Sequence, residues 1–284
     1  MNNELQIKNF SDRRIMEEAR RILNEGFTLH TDQDFTMAEL VEYCRRFGST
    51  DDDMLGYMQF NPEDNPDISI VSPKPDMLLG HCDLEWHSNG TVHHVVDGKW
   101  GHKEWLICLY CVDYCPDTVL SVSNNRDAFL DLPAEEKEWW RKVEVQLNNN
   151  GGSIMGQYWN PSDKADAGKV ARMEKYIQAP KHEGDERMPV VNVHPIGGQE
   201  FLYWQPPLIT KAWFDGKLMN DLDELQEKFD SVINRTKYIK DIVFRPGDIL
   251  IMDQFYTLHR RSPILDEKRE LWRVAIDYKH SLDK

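Results

Sequence analysis

The sequence is short of three things, and each shortage excludes something. Its five cysteines, Cys44, Cys82, Cys108, Cys111 and Cys115, are too few and odd in number for a disulfide scaffold, so a reducing compartment is expected. Nowhere do about eighteen uncharged apolar residues follow one another, the length a membrane-spanning helix needs. The opening MNNELQIKNFSDRR has no apolar run behind its charges, so no secretory leader is expected either. Positive charge is scarce as well. The 34 Lys and Arg residues against 49 Asp and Glu leave a formal charge of −15, which repels phosphate backbones and anionic lipid over about a Debye length. Binding to nucleic acid or to a membrane is therefore not expected. A cytoplasmic protein acting on a small molecule is.

What is present suits a folded core: the chain is 40% hydrophobic and 11% aromatic. No repeat, low-complexity tract or flexible linker divides it, so residues 1–284 are read as one mixed α+β domain with mostly antiparallel sheets flanked by helices. RRIMEEARRIL carries Ile15, Ala19, Ile22 and Leu23 at helical spacing, and Gly26 then breaks to the strand-like FTLH. TMAELVEYCRRFG opens with a capping box, Thr36 with Glu39, beside a hydrophobic staple of Phe35 and Leu40. LPAEEKEWWRKVEVQL reads as one helix running to the stop NNNGG. PVVNVHP and GGQEFLYW read as a hairpin, DLDELQEKFDSVI as a helix, and IVFRPGDILIMD as two β-runs bent at Pro246 and Gly247. The stretch from Ser153 to Arg187 carries no clear signal. C-x-x-C-x-x-x-C resembles a cluster site, yet EWLICLYCVDYC is strand-like. Cys108 and Cys111 should then face opposite ways, as buried structural thiols.

Chemistry concentrates in HCDLEWHSNGT, residues 81–91, with two histidines, two acids and an asparagine. His81 and Asp83 form a literal His-x-acid pair, whereas His87 is followed at that spacing by Asn89. In the strand-like RELWRVAIDY, Arg269, Leu271, Arg273 and Ala275 share one face. Two arginines on a partly apolar face must reach solvent or meet an anion, because an unpaired buried guanidinium is costly. The plain alternative is a solvated sheet edge. Ten residues before Arg269 stands His259, at the end of GDILIMDQFYTLH. Of His93 and His94, adjacent in an extended segment, at most one could face a metal. Asn124, Asn125 and Arg126 are read as loop hydrogen-bonders and His194 as structural.

Taken in order, WHSNGT at 86–91, DTVLSVSNNRDAF at 117–129, PVVNVHP at 189–195 with FLYW after it, and GDILIMDQFYTLHRRSP with RELWR at 247–273 resemble the landmarks of the taurine dioxygenase-like TauD/TfdA family. GFTLHTDQDFTMAELVEYCRRFG resembles that family's opening segment, so the likeness spans nearly the whole chain. The resemblance implies a double-stranded β-helix, or jelly roll, in which Fe(II) is held by a His-x-acid pair and a distal histidine, with positions left for 2-oxoglutarate and molecular oxygen. Carried over, His87 is the first metal ligand, Asn89 occupies the acid position and His259 is the distal ligand. Thr118, Arg269 and Arg273 are the cofactor-binding set: Arg269, helped by Thr118, pairs with the far carboxylate of 2-oxoglutarate. Arg273 matches a second arginine that in some members contacts an anionic substrate.

Ferrous iron accepts imidazole and carboxylate readily, and a facial set of three leaves adjacent positions for a keto acid and oxygen. An arginine fork holds a carboxylate in a bidentate pair that lysine cannot match. Asn89 departs from the family pattern, because an amide is neutral and a weaker ligand. Four arrangements are open: Asn89 ligates through its oxygen, leaves the position to water, admits chloride, or is replaced by Asp83 or Glu85. His81 with Asp83 is the rival first ligand set. The expected activity is an iron(II), 2-oxoglutarate-dependent oxygenase hydroxylating a small molecule, with 2-oxoglutarate converted to succinate. The alternatives are a chloride-using halogenase and a ligand-binding barrel without catalysis.

Overall fold

A computed structural model describes residues 6–50, 62, 64–73, 83–89, 95–96, 99–100, 105–113, 116–149, 182–183, 187–203 and 209–277. His81, Cys82, His93, His94 and Cys115 lie outside the described residues, as does most of the stretch from Ser153 to Arg187. Among the described residues no helix is long and apolar enough to cross a membrane.

Two large sheets dominate, and their strands are numbered here in chain order: β1 (Phe27–His30), β2 (Ser69–Val71), β3 (Leu84–His87), β4 (Leu106–Asp113), β5 (Leu120–Asn124), β6 (Ile239–Ile242), β7 (Ile249–Asp253), β8 (Thr257–Arg261) and β9 (Glu270–Ile276). One sheet has the order β1-β7-β4-β9-β2 and the other β6-β5-β8-β3. Every pairing in both is antiparallel.

The two faces of these strands belong to two different cores, as their period of two requires. In β9, Trp272, Val274 and Ile276 join the larger core while Leu271 and Ala275 join a smaller one. In β4, Cys108 goes with the larger core and Cys111 with the smaller, so the two thiols do face opposite ways. The smaller core also takes Leu120 and Val122 from β5, Ile242 from β6, and Leu250 and Met252 from β7. It is therefore built by both sheets, whose inner faces meet.

Helices α1 (Asp12–Glu25) and α2 (Met37–Arg45) supply Ile15, Ala19, Ile22, Leu40 and Val41 to the larger core, against the outer face of the five-stranded sheet. The capping box is present in full: Thr36 accepts from the Glu39 N–H, and Glu39 accepts from the Thr36 N–H at 2.8 Å. Gly26 ends α1 at φ 85°. A Cβ there would meet Thr257 Cγ2 at 2.8 Å, so glycine lets the α1–β1 corner lie against the strand that carries His259.

One expected element is wrong. The helix read over LPAEEKEWWRKVEVQL ends early: α4 spans Ala134–Arg141, and Val143–Asn149 is a strand paired with Ile209–Phe214. VEVQL alternates with period two and buries Val143 and Val145, and that β-branched alternation outweighs the run of helix formers before it. The segment read as a hydrogen-bonding loop after β5 is instead a short helix, α3 (Asn125–Leu130), capped by the Asn124 side chain accepting from the Asp127 N–H at 2.9 Å. Helix α5 (Leu222–Ile233) buries Leu225, Phe229 and Val232, and Val191–Val193 pairs with Glu200–Leu202 as the expected hairpin.

Candidate metal centre

The centre begins with the orientation of Trp86. Its ring lies in the larger core, its Nε1 donates to Asn234 Oδ1 at 2.9 Å, and the Arg260 guanidinium covers it at 4.6 Å from the ring centroid. With Trp86 packed toward the larger core on β3, alternation turns His87 to the opposite face of the sheet. On β8 the same logic applies. Leu258 packs in the larger core and Arg260 is exposed, so buried Thr257, His259 and Arg261 form the inward row.

His87 and His259 are direct register partners between β3 and β8, and the ladder shifts just beyond them, between His259 and Arg261. Their ring centroids are 4.3 Å apart with planes tilted by 50°. His87 Nδ1 lies 2.7 Å from the Glu85 carbonyl, to which it donates, leaving the Nε2 lone pair directed away. Asn89 Nδ2 lies 3.4 Å from His259 Nε2, which accepts from it, so that nitrogen too carries its lone pair toward Asn89. His259 Nδ1 is buried with no hydrogen-bond partner among the described residues. Both imidazoles are held below their ordinary pKa, His259 well below, chiefly by burial. His87 beside His259, and Arg261 and Arg273 beside both rings, add to the effect. Neutral imidazole is the form that binds metal.

Asp83 and Glu85 are exposed, and among the described residues no group of three or more His, Cys, Asp and Glu side chains could hold a metal ion. Beside the His259 Nε2 stands the amide of Asn89.

At the far end of β8 the chain is tied to β5. Val119 N donates to Ser262 Oγ at 2.8 Å, and buried Thr118 donates through Oγ1 to the Pro263 carbonyl at 3.3 Å. Arg269 stands just before β9, buried near Cys111, whose thiol burial pushes up to about 12 against the moderating charge of Arg269. Arg273 is buried within β9, opposite Leu109 on one side and Ser69 on the other. The arginines of β9 are therefore interior and do not sit on a solvated edge.

Two residues escaped the sequence reading. Arg261 follows His259 by two positions on the inward row, a spacing that already implies a shared face. Gln254 accepts from the Asn89 N–H through Oε1 at 2.7 Å, a contact across 165 positions with no local signature. Gln254 sits in a turn that is itself braced. His194 Nδ1 accepts from Ile196 N and Gly197 N, so its Nε2 donates to Asp253 Oδ2 at 3.0 Å, while Asp253 Oδ1 accepts from Phe255 N and Tyr256 N.

Set against known proteins, the profile of the taurine catabolism dioxygenase TauD, TfdA family matches residues 2–275. The chain belongs to the TauD/TfdA family. This TauD/TfdA protein has the fold of solved relatives at low identity. A taurine dioxygenase from Burkholderia xenovorans superposes with a TM-score of 0.64 at 15% identity, covering 95% of this chain and 82% of the other. AAD-2, solved in complex with Mn(II) and N-oxalylglycine, superposes with a TM-score of 0.64 at 15% identity, covering 95% and 90%. No protein of curated function matches the sequence. As a TauD/TfdA member the protein is a non-haem iron dioxygenase that uses Fe(II) and 2-oxoglutarate. Its residues fit that metal: two imidazoles of lowered pKa lie with ring centroids 4.3 Å apart, each with its Nε2 free of a proton, and the Asn89 amide stands beside that of His259.

Proposed function

We propose that this protein hydroxylates a small molecule in a single jelly-roll domain spanning residues 1–284, with His87, Asn89 and His259 as the metal-binding set. In the balanced reaction, 2-oxoglutarate, dioxygen and a substrate C–H give succinate, carbon dioxide and a C–OH group. Bound ferrous iron supplies the point at which keto acid and oxygen react. The chain's own groups do the rest. The carbonyl of Glu85 fixes the tautomer of His87, and burial keeps both rings unprotonated and able to ligate. Arg269 and Thr118 hold the far carboxylate of 2-oxoglutarate, and Arg273 adds positive charge from the inward face of β9. The apolar side chains of the inner core, among them Leu109, Leu250 and Leu271, exclude bulk water behind it.

The observation that carries this reading is the register pairing of His87 with His259, their rings 4.3 Å apart and Asn89 beside them. Adding Fe(II) and 2-oxoglutarate without air should produce the weak visible charge-transfer band of the chelate. Admitting oxygen should then release succinate. Absence of both leaves a binding protein. A substrate product that gains chlorine when halide is supplied, in place of one oxygen atom, would make the neutral Asn89 position a halide site and the enzyme a halogenase.

A further inference from the structure

The turn that joins β7 to β8 is held from several directions. The Asp253 N–H donates to the Gly26 carbonyl at 2.8 Å, the Gln254 N–H donates to the Trp105 carbonyl at 2.9 Å, and the Tyr256 carbonyl accepts from the Asn125 N–H at 3.0 Å. Buried Asn125 also donates through Nδ2 to the Phe255 carbonyl at 3.1 Å and to the Leu202 carbonyl at 2.8 Å. Within the turn, Asp253 Oδ1 accepts from Phe255 N and Tyr256 N, both at 2.8 Å. Distant parts of the chain thus fix one short loop, and a backbone so determined is a rigid mount.

From this mount reaches the buried side chain of Gln254. Its Oε1 accepts from the Asn89 N–H at 2.7 Å, and its Nε2 donates to the Met252 carbonyl at 3.5 Å. A donor on one side and an acceptor on the other decide which end of the amide points where. Asn89 lies two residues past the end of β3, so the ladder that registers His87 against His259 stops short of it. The bond from Gln254 carries that register on to Asn89, whose own amide stands 3.4 Å from His259 Nε2. His259 itself lies on the strand that leaves the same turn. Asn89 and His259 are therefore both located by one turn.

We propose that Gln254 is a positioning residue of the metal centre, acting through the Asn89 main chain to hold the Asn89 amide within ligating reach of the ion that His87 and His259 bind. The proposal rests on the function given above and selects, for position 89, ligation by the amide itself. Supporting bonds of this kind govern metal affinity by about 10- to 100-fold. An apolar side chain of the same length offers no acceptor.

The test measures Mn(II) affinity from the loss of the free ion's paramagnetic resonance, and the visible spectrum of bound Co(II), in the native chain, Gln254→Met, Asn89→Ala and the double variant. Gln254→Met should weaken Mn(II) by about tenfold or more, and Asn89→Ala by at least as much. The double variant should lose no more than Asn89→Ala alone, because a positioning residue then has nothing left to position. At saturating Co(II) the spectrum of Gln254→Met should move toward that of Asn89→Ala. Native affinity in Gln254→Met overturns the proposal. So does an equal loss from Gln254→Met with and without the Asn89 side chain, which would mean that Gln254 acts through the fold at large. Should Gln254→Met fail to fold, Asn89→Ala, which keeps the main-chain bond, decides alone, native Mn(II) affinity in it being the overturning result. Failure of the native chain to bind either ion would instead overturn the metal-binding reading, and the proposal with it.

Discussion

Gln254 and Trp86 brace the proposed metal-binding set without belonging to it. Gln254→Leu would leave the Asn89 N–H without its acceptor, costing about 1–3 kcal/mol, and would loosen the position of the amide. We expect a lower melting temperature and weaker Mn(II) binding together; stability lost with metal affinity intact would show that Asn89 is held by other means. Trp86→Phe would remove the donor to Asn234 and weaken the seat of Arg260, and about 1 kcal/mol should be lost in denaturant unfolding. At this scale His87 and His259 were legible because each stands in a local pattern, a Trp-His pair and a histidine ending a β-run. Arg261 could have been found by the alternation that picked out Arg269 and Arg273 on the neighbouring strand. Gln254 could not, because what it does depends on a backbone N–H 165 positions away.

Among the elements, two have ends that can be tested directly. Gly26 closes α1 at φ 85° against Thr257 Cγ2. Gly26→Ala should destabilise by more than about 1 kcal/mol, read as a fall in melting temperature, and should disturb β8 and with it the spectrum of the bound metal. Glu39 caps α2, and the bond from the Thr36 N–H holds its carboxyl down to about 2, helped by Lys8. Since the folded value lies below the unfolded one of about 4.3, this contribution is present in full above about pH 5 and fades as pH falls toward 2. Glu39→Gln should therefore lower the melting temperature at pH 7 and flatten its acid dependence, seen by comparing thermal unfolding of the two proteins between pH 7 and 3. Strong local signals made α1, α2, α5 and the hairpin readable. The helix over 132–147 was misjudged because helix formers and a strand pattern abut at Lys142 with no glycine or proline between them. Only the pairing of Val143–Asn149 with Ile209–Phe214 decides which pattern wins.

Over the whole molecule, the buried His194–Asp253 contact joins the Val191–Leu202 hairpin to the turn between β7 and β8. Its partners lie 59 positions apart, so the sequence showed a histidine before proline but not what it holds. His194→Ala would strip a buried carboxylate of that donor, and a loss of at least about 2 kcal/mol is expected in chemical denaturation. The thiols give a second global readout. Cys44, Cys108 and Cys111 are buried and unbridged, and burial raises the thiols of Cys44 and Cys111. Iodoacetamide at pH 8 should leave these three unmodified in the native protein and label them after unfolding, as mass spectrometry would record. That the chain has an α+β architecture with antiparallel sheets followed from its turn signals and alternating runs. Which faces enclose the smaller core followed only from the pairing of distant strands.

Consecutive residues of β8 point opposite ways, and two of them are arginines: Arg260 lies outside over an indole, Arg261 inside beside an imidazole. Deleting Leu258 would exchange the two sides of the ribbon beyond it. The imidazole of His259 would then be turned away from His87 and the indole's cation drawn between the sheets, so a protein with nearly unaltered composition would lose the histidine pair proposed to hold its metal.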